Sequence, residues 1–181
     1  MTNGILGKTM LFRGMKIGLI SDTHSFLDPK VFEYFEPCDE IWHAGDIGTI
    51  ELYDELNEFR PTHAVWGNID GHKIREAVPE DLLLGRSGKT FLMTHIAGKP
   101  PSYNKRVRQL LDQHRPDVLI CGHSHILGVI TDPKRPWLTY LNPGAAGKQG
   151  FHRIRTLLRF EINDGKLSNM QAIELGKRGK S

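Results

Sequence analysis

Cysteine is scarce in this 181-residue chain: Cys38 and Cys121 are the only two, and they form no C-x-x-C pair. That excludes a disulfide framework and a cysteine-based zinc site, and makes a reducing compartment the simplest expectation. Long apolar runs are missing too. No stretch approaches the roughly 20 residues a membrane span needs, and Lys8, Arg13 and Lys16 interrupt any signal-like segment near the start, so the chain is expected to be cytoplasmic, without a membrane partner. Excess charge is small, at +3, and Lys177, Arg178 and Lys180 contribute to it in what reads as a solvated basic tail over 177–181. Such a balance suits an anionic ligand and does not indicate nucleic-acid binding. There is no Rossmann glycine fingerprint, nucleophile elbow or cysteine redox motif. Gly85-Arg86-Ser87-Gly88-Lys89-Thr90 imitates a phosphate-binding loop, but Leu83 stands where the first glycine is required and a strand follows, so a hairpin turn is expected there.

What is present fits one domain with a real core: 39% of the residues are hydrophobic. The expected domain is 15–176, preceded by a loose extension over 1–14 that shows no clear period. Five short runs rich in β-branched and aromatic residues read as buried strands: Ile17 to Ile20, Glu40 to Trp42, Ala64 to Trp66, Phe91 to Met93 and Val118 to Cys121. Helical patterns lie between them. One begins at Ser102 as N-cap, carries Tyr103, Val107, Leu110, Leu111 and His114, and ends at Pro116; another covers 49–60 with Leu52, Leu56 and Phe59 on one face. Strand then helix, repeated, predicts an α/β sheet. After Ile126 the pattern turns to strands, over 138–141, 156–162 and 169–175, with Asp164-Gly165 as a hairpin signal.

Each of the five early strands ends in a polar cluster: Asp22-Thr23-His24, Gly45-Asp46, Gly67-Asn68-Ile69-Asp70, Thr94-His95 and Gly122-His123-Ser124-His125. Singly, an Asp after a strand is more often a turn or capping residue, and Asn68 alone would be a turn residue. Jointly, the clusters can meet in the crevice beyond the carboxyl ends of the strands, where α/β sheets bind ligands. Four imidazoles, two carboxylates and one amide oxygen are too many for one tetrahedral ion and suit two ions sharing a carboxylate, with Asp46 as the natural bridge. Two divalent ions, two aspartates and a bridging hydroxide together leave about one positive charge to meet a phosphate.

At these residues the sequence closely resembles the calcineurin-like metallophosphoesterases, whose pattern runs D-x-H, G-D, G-N-H-D, H and G-H-x-H. Asp22 and His24, Asp46, Asn68, His95, then His123 and His125 match it in order, over Lys16 to about Gly147, and Asn142-Pro143-Gly144 is similar to the small single-domain bacterial and archaeal branch. The resemblance implies a four-layer α/β/β/α sandwich of two mixed sheets flanked by helices. It implies one ion held by Asp22, His24, Asp46 and His125, and another by Asp46, Asn68, His95 and His123, with Asn68 counted in the catalytic set. It also implies attack on phosphorus by a metal-bound hydroxide. Manganese is favoured by the resemblance; iron, zinc, nickel and cobalt are accepted by the same ligand types.

One position departs from the pattern. Ile69 stands where many members carry His in G-N-H-D, so an imidazole that would assist the leaving oxygen is missing. Members of the small branch share this lack and resemble phosphodiesterases, which points to diesters. Asp70 and His72 are candidate substitute donors, each with a plain alternative as a turn residue or an exposed loop side chain. His43 is a candidate partner that orients a ligand, and His63, His114 and His152 read as structural. The expected substrate is a small-molecule phosphoester; cyclic nucleotides, glycerophosphodiesters and nucleic-acid ends stay open. Specificity must come from loops 71–87 and 98–105 or from a neighbouring subunit of a homo-oligomer. A metallo-β-lactamase fold would need H-x-H-x-D-H early in the chain. The stronger alternative is a metal-poor scaffold of the same fold that binds proteins, as the retromer subunit resembling this family does.

Overall fold

The computed structural model describes residues 14–179; the expected loose extension lies, but for Gly14, outside the described residues. Twelve strands and four helices follow one another as β1 (Met15–Ile20), α1 (Lys30–Phe35), β2 (Glu40–His43), α2 (Ile50–Phe59), β3 (Thr62–Ala64), α3 (His72–Ala77), β4 (Asp81–Arg86), β5 (Lys89–Thr94), β6 (Gly98–Lys99), β7 (Ser102–Tyr103), α4 (Lys105–His114), β8 (Val118–Ile120), β9 (Gly128–Asp132), β10 (Arg135–Asn142), β11 (Ile154–Asn163) and β12 (Lys166–Lys177). Ten of the strands build two five-stranded mixed sheets, ordered β12-β11-β1-β2-β3 and β4-β5-β8-β10-β9, and β6 and β7 pair in a two-stranded ribbon. In the first, β1, β2 and β3 run parallel and β11 and β12 antiparallel. In the second, β5, β8 and β10 run parallel between the antiparallel β4 and β9.

The period-2 alternation of the strands sorts their side chains into three cores. Ile17, Leu19, Trp42, Phe91, Met93, Val118, Ile120, Leu158 and Phe160 meet between the two sheets. Their neighbours Ile20, Ile41 and Leu157 face the other way, onto Val31, Phe35, Leu52, Leu56 and Ile74 of the first three helices. Leu92 and Leu119 likewise face Val107 and Leu111 of α4. The result is helices, sheet, sheet, helix: the four-layer sandwich. Trp42 anchors the middle core, with its ring edge-on to Phe91 at 4.8 Å and to Phe160 at 5.9 Å, a favourable aromatic arrangement. Gly18 is required where β1 crosses α1, because a Cβ there would sit 2.6 Å from the Phe35 ring.

Several sequence expectations shift by a few residues. The third strand is Thr62–Ala64 and not Ala64 to Trp66, because the ladder with β2 ends at Ala64 and the Trp66 N–H turns to Pro79 O at 3.0 Å. Ser102 does not cap α4: it pairs with Lys99 in a short ribbon, and Asn104 caps the helix by accepting from Val107 N at 2.9 Å. β12 takes in Lys177, and Arg178 N donates to Arg153 O at 3.0 Å, so the expected tail boundary falls inside a paired segment. Ser87-Gly88 is a two-residue hairpin turn with both φ angles positive, as is Asp164-Gly165. Cys38 and Cys121 are both free and buried. No described helix is long and apolar enough to cross a membrane.

Candidate metal centre

Because β1, β2 and β3 are parallel in one sheet and β5 and β8 in the other, each sheet delivers its polar strand exits to one edge, and those edges meet. Asp22 and His24 follow β1, Asp46 follows β2, Asn68 lies beyond β3, His95 follows β5, and His123 and His125 follow β8. Six of these seven form two groups of three whose ligand atoms all lie within 4.8 Å of one another: Asp22, His24 and His125 in one, Asp46, His95 and His123 in the other. The groups adjoin, since His24 Nε2 is 3.6 Å from Asp46 Oδ2 and His95 Nε2 is 4.0 Å from Asp22 Oδ1. Asn68 is exposed and borders, with His95, a cavity of about 50 Å³; the amide N–H of the next residue, Ile69, donates to Asp46 Oδ1 at 3.0 Å.

The backbone is strained to make this cluster. Asp22, His24, Asp46, His123 and His125 all have φ between 48° and 65°, a region non-glycine residues rarely enter, at a cost on the order of 1 kcal/mol or more each. Glycines clear the remaining space. A Cβ at Gly122 would lie 2.0 Å from Ser21 Oγ, and one at Gly67 would lie 2.1 Å from Asp46 Oδ1.

Hydrogen bonds fix which imidazole nitrogens face inward. His95 Nδ1 is 2.8 Å from Ala44 O. A carbonyl can only accept, so Nδ1 carries the proton and Nε2 presents a lone pair. That Nε2 points at Asp46 Oδ1, 3.2 Å away. His125 repeats the arrangement through a relay: His152 Nε2 donates to Gly147 O at 3.1 Å, so His152 Nδ1 is an acceptor for His125 Nδ1 at 3.2 Å. His125 Nε2 then aims its lone pair at Asp22 Oδ1, 3.1 Å away. Two lone pairs facing each other at such distances repel unless a cation or proton lies between them. His24 Nε2 and His95 Nε2 are also buried with no hydrogen-bond partner among the described residues. These donors fit divalent cations bound by imidazole and carboxylate.

Electrostatics favour positive charge here. Burial alone would lower the His95 pKa, but Asp46 and Asp22 override it and raise it. Burial would raise the Asp46 carboxyl, but His95, the Ile69 N–H and His24 bring it below the usual range. His123 is lowered by burial and by the neighbouring His95. Asp22 is held by Ser21 Oγ at 2.6 Å and by the His123 N–H at 3.1 Å.

The other sequence candidates are placed as follows. His43 is fully buried. Its Nδ1 accepts from Gly45 N at 3.2 Å and its Nε2 donates to Thr23 Oγ1 at 2.9 Å, bracing the loops that carry Asp22, His24 and Asp46; burial brings its pKa to about 4. Asp70 accepts from the backbone of Gly67, Gly48 and Ile47 at 2.7, 2.7 and 3.2 Å, tying the loop after β3 to the loop after β2. His72 lies on the surface, paired with Glu76 at 2.9 Å, and is not drawn to the cluster. Two bracing residues escape a reading of the sequence. His152, read there as structural, orients His125, and no motif signals a partner 27 residues away. Asn142, marked in the sequence only by the likeness of Asn142-Pro143-Gly144 to the small branch, donates to Gly122 O at 2.9 Å and Ser124 Oγ at 3.1 Å, pinning the loop of His123 and His125.

A two-sheet α/β sandwich with clustered imidazoles and carboxylates at adjoining strand ends defines a protein of the metallophosphoesterase class. The sequence profile of the calcineurin-like phosphoesterase superfamily domain matches residues 15–165, and the chain belongs to that superfamily. It is 33% identical over 138 residues to a probable metallophosphoesterase of Methanothermobacter thermautotrophicus, covering 72% of this chain and 77% of that one. To a probable metallophosphoesterase of Methanocaldococcus jannaschii it is 34% identical over 146 residues, covering 78% and 70%. Among solved structures, an archaeal phosphodiesterase superposes with a TM-score of 0.70 at 22% identity, covering 89% of this chain and 100% of that one. A zinc complex of Vps29 from Entamoeba histolytica superposes with a TM-score of 0.67 at 20% identity, covering 91% and 100%. At these identities the structural likenesses establish the fold. Membership in the family makes the chain a phosphoesterase in general terms, of a family that uses divalent metals.

Proposed function

We propose that this chain is a phosphodiesterase whose seven residues Asp22, His24, Asp46, Asn68, His95, His123 and His125 hold two divalent cations, with manganese favoured. The observation that carries the reading is the pair of facing acceptors, His125 Nε2 against Asp22 Oδ1 at 3.1 Å and His95 Nε2 against Asp46 Oδ1 at 3.2 Å. Asp46 belongs to the second group of three and lies 3.6 Å from His24 Nε2 of the first, which supports its reading as the shared carboxylate. Asn68, beside His95, adds an amide oxygen. When bound, the cations supply Lewis-acid activation of water and neutralise charge on phosphoryl oxygens. The chain's own residues orient and insulate: His152 and Ala44 O fix the two imidazole tautomers, and Asp70, His43 and Asn142 lock the loops. Ile69 offers no proton to a leaving oxygen, so good leaving groups are favoured.

The test is hydrolysis by metal-reconstituted protein of a diester and a monoester sharing one leaving group, with Asp46→Asn as control. The diester is expected to turn over faster and the control to lose nearly all activity. Clearly faster monoester turnover overturns the diester preference, and unchanged activity in the control overturns the shared carboxylate. The likeness to Vps29 supports a second reading, a scaffold that binds proteins. Protein that stays metal-free and inert after reconstitution would favour it.

A further inference from the structure

Next to the candidate metal centre the surface dips into a cavity of about 290 Å³, at the small end of ligand pockets, and His123 lines both. Ile126, Ile130 and Tyr140 line the cavity together with Gly122 and Gly128, and the polar Lys99 and Ser124 border it as well. Ile126 is 70% exposed and Ile130 43%, so this cavity presents two large aliphatic side chains to whatever enters it.

Around Tyr140 the polar atoms already have partners. Tyr140 Oη accepts from Cys121 Sγ at 3.2 Å and from Asn142 Nδ2 at 3.4 Å, and Gly122 O accepts from the same amide at 2.9 Å. A hydroxyl-rich arm lying against Ile126, Ile130 and Tyr140 would give up water there with only Lys99 and Ser124 to compensate it, whereas an apolar ring gains by burial. The shape also favours a flat group. Gly128 leaves space in front of the tyrosine ring: a Cβ added there would stand 3.4 Å from Tyr140 Cε1 and 3.7 Å from Ile130 Cδ1, in ordinary contact and inside the cavity.

We propose that this cavity seats one ester arm of the substrate, and that the arm is a planar aromatic or heteroaromatic group, an aryl or nucleobase-bearing phosphodiester rather than a glycerol or sugar diester. The assignment rests on the phosphoesterase reading of the adjoining cluster. The arm lies against Tyr140 and between Ile126 and Ile130 while its phosphate reaches past His123 to the ligand groups.

The experiment compares phenyl p-nitrophenyl phosphate with methyl p-nitrophenyl phosphate, which release the same leaving group, on the metal-loaded full chain. The expected ratio of kcat/KM is about tenfold or more in favour of phenyl. In Gly128→Val, which fills the slot, and in Ile126→Ser, a surface change with no fold to lose, the ratio is expected to drop severalfold. A ratio that stays at its wild-type value in both variants overturns the proposal. Calorimetric binding of phenylphosphonate and methylphosphonate to the same proteins needs no turnover. Tighter phenylphosphonate binding that is lost in Ile126→Ser, with no ester hydrolysed, would sink the hydrolase reading and keep the subsite. Hydrolysis without any phenyl preference would do the reverse.

Discussion

At the scale of single residues, His152 acts through two hydrogen bonds and Ile69 through the proton its side chain lacks. His152 Nδ1 is the acceptor that keeps the proton of His125 on Nδ1 and its lone pair directed inward. Orienting partners of this kind are worth about 10- to 100-fold in metal affinity. His152→Ala is therefore expected to weaken metal binding by about that factor in calorimetric titration, while His152→Gln, which keeps an acceptor, restores much of it. Equal affinity in the alanine variant would reduce His152 to packing. Ile69 presents the opposite case, a side chain 45% exposed where an imidazole has room. Its backbone N–H already serves Asp46, so Ile69→His leaves that bond in place. A general acid contributes roughly 10² or more. The variant should gain about that much on alkyl esters with poor leaving groups and little on p-nitrophenyl esters, which a plot of rate against leaving-group pKa would reveal.

At the scale of elements, the sequence is a good guide where periodicity governs and a poor one where contacts across the chain do. Ile17 and Leu19 against Ile20, or Phe91 and Met93 against Leu92, alternate as a strand between two packed layers must, and the order of strands and helices follows. The third strand is misplaced because pairing with β2 runs out after a last bond from Val65 N to His43 O, and Trp66 is apolar for reasons of packing. The start of α4 is misplaced because Ser102 and Asn104 are both good caps and only the β6–β7 ribbon decides between them. The candidate ligands were legible as residue types at strand exits. Their left-handed backbone was not, since Asp and His do not announce it as glycine does. The closest junction is where β8 leaves its sheet against the exit of β1. Gly122→Ala would push a methyl to 2.0 Å from Ser21 Oγ and 2.7 Å from Asp22 Oδ2. Overpacking of this kind costs about 1–3 kcal/mol, so the urea midpoint should fall accordingly and metal affinity with it. A midpoint equal to wild type would mean that the two exits separate without cost.

At the scale of the whole molecule, the two sheets are tied together away from the site by Glu40. Its carboxylate on β2 accepts from Arg86 Nε on β4 at 3.0 Å and from Trp42 Nε1 at 2.9 Å, with His63 Nε2 at 3.5 Å. Burial alone would raise its pKa, but these partners override it and bring it from 4.5 to about 2. The folded state therefore resists protonation that the unfolded chain accepts. The resulting stabilisation is complete above about pH 4.5 and drains away as pH falls toward 2. Urea denaturation in chelator should show wild type losing stability over that window more steeply than Glu40→Gln; parallel slopes would remove Glu40 from the account.

The second tie between the sheets is the cluster itself, and here folding and function share one cause. Asp22 and Asp46 come from strands of one sheet, His95, His123 and His125 from the other. Across the join, imidazole nitrogens of one sheet face carboxylate oxygens of the other at 3.1 and 3.2 Å. A cation that binds only the assembled ligands stabilises the native state by mass action, about 2.7 kcal/mol at a free concentration a hundredfold above Kd. Thermal melts of chelator-treated protein are therefore expected to show a Tm that climbs steadily with added manganese. Asp46→Asn keeps the bulk and removes the charge that His95, His24 and the Ile69 N–H stabilise, so its melt should respond much less to the metal and should lie at or below that of the metal-free wild type. A wild-type Tm indifferent to manganese, zinc, iron, nickel and cobalt alike would mean that no cation cross-links the sheets, and the strain at the five left-handed residues would need another cause.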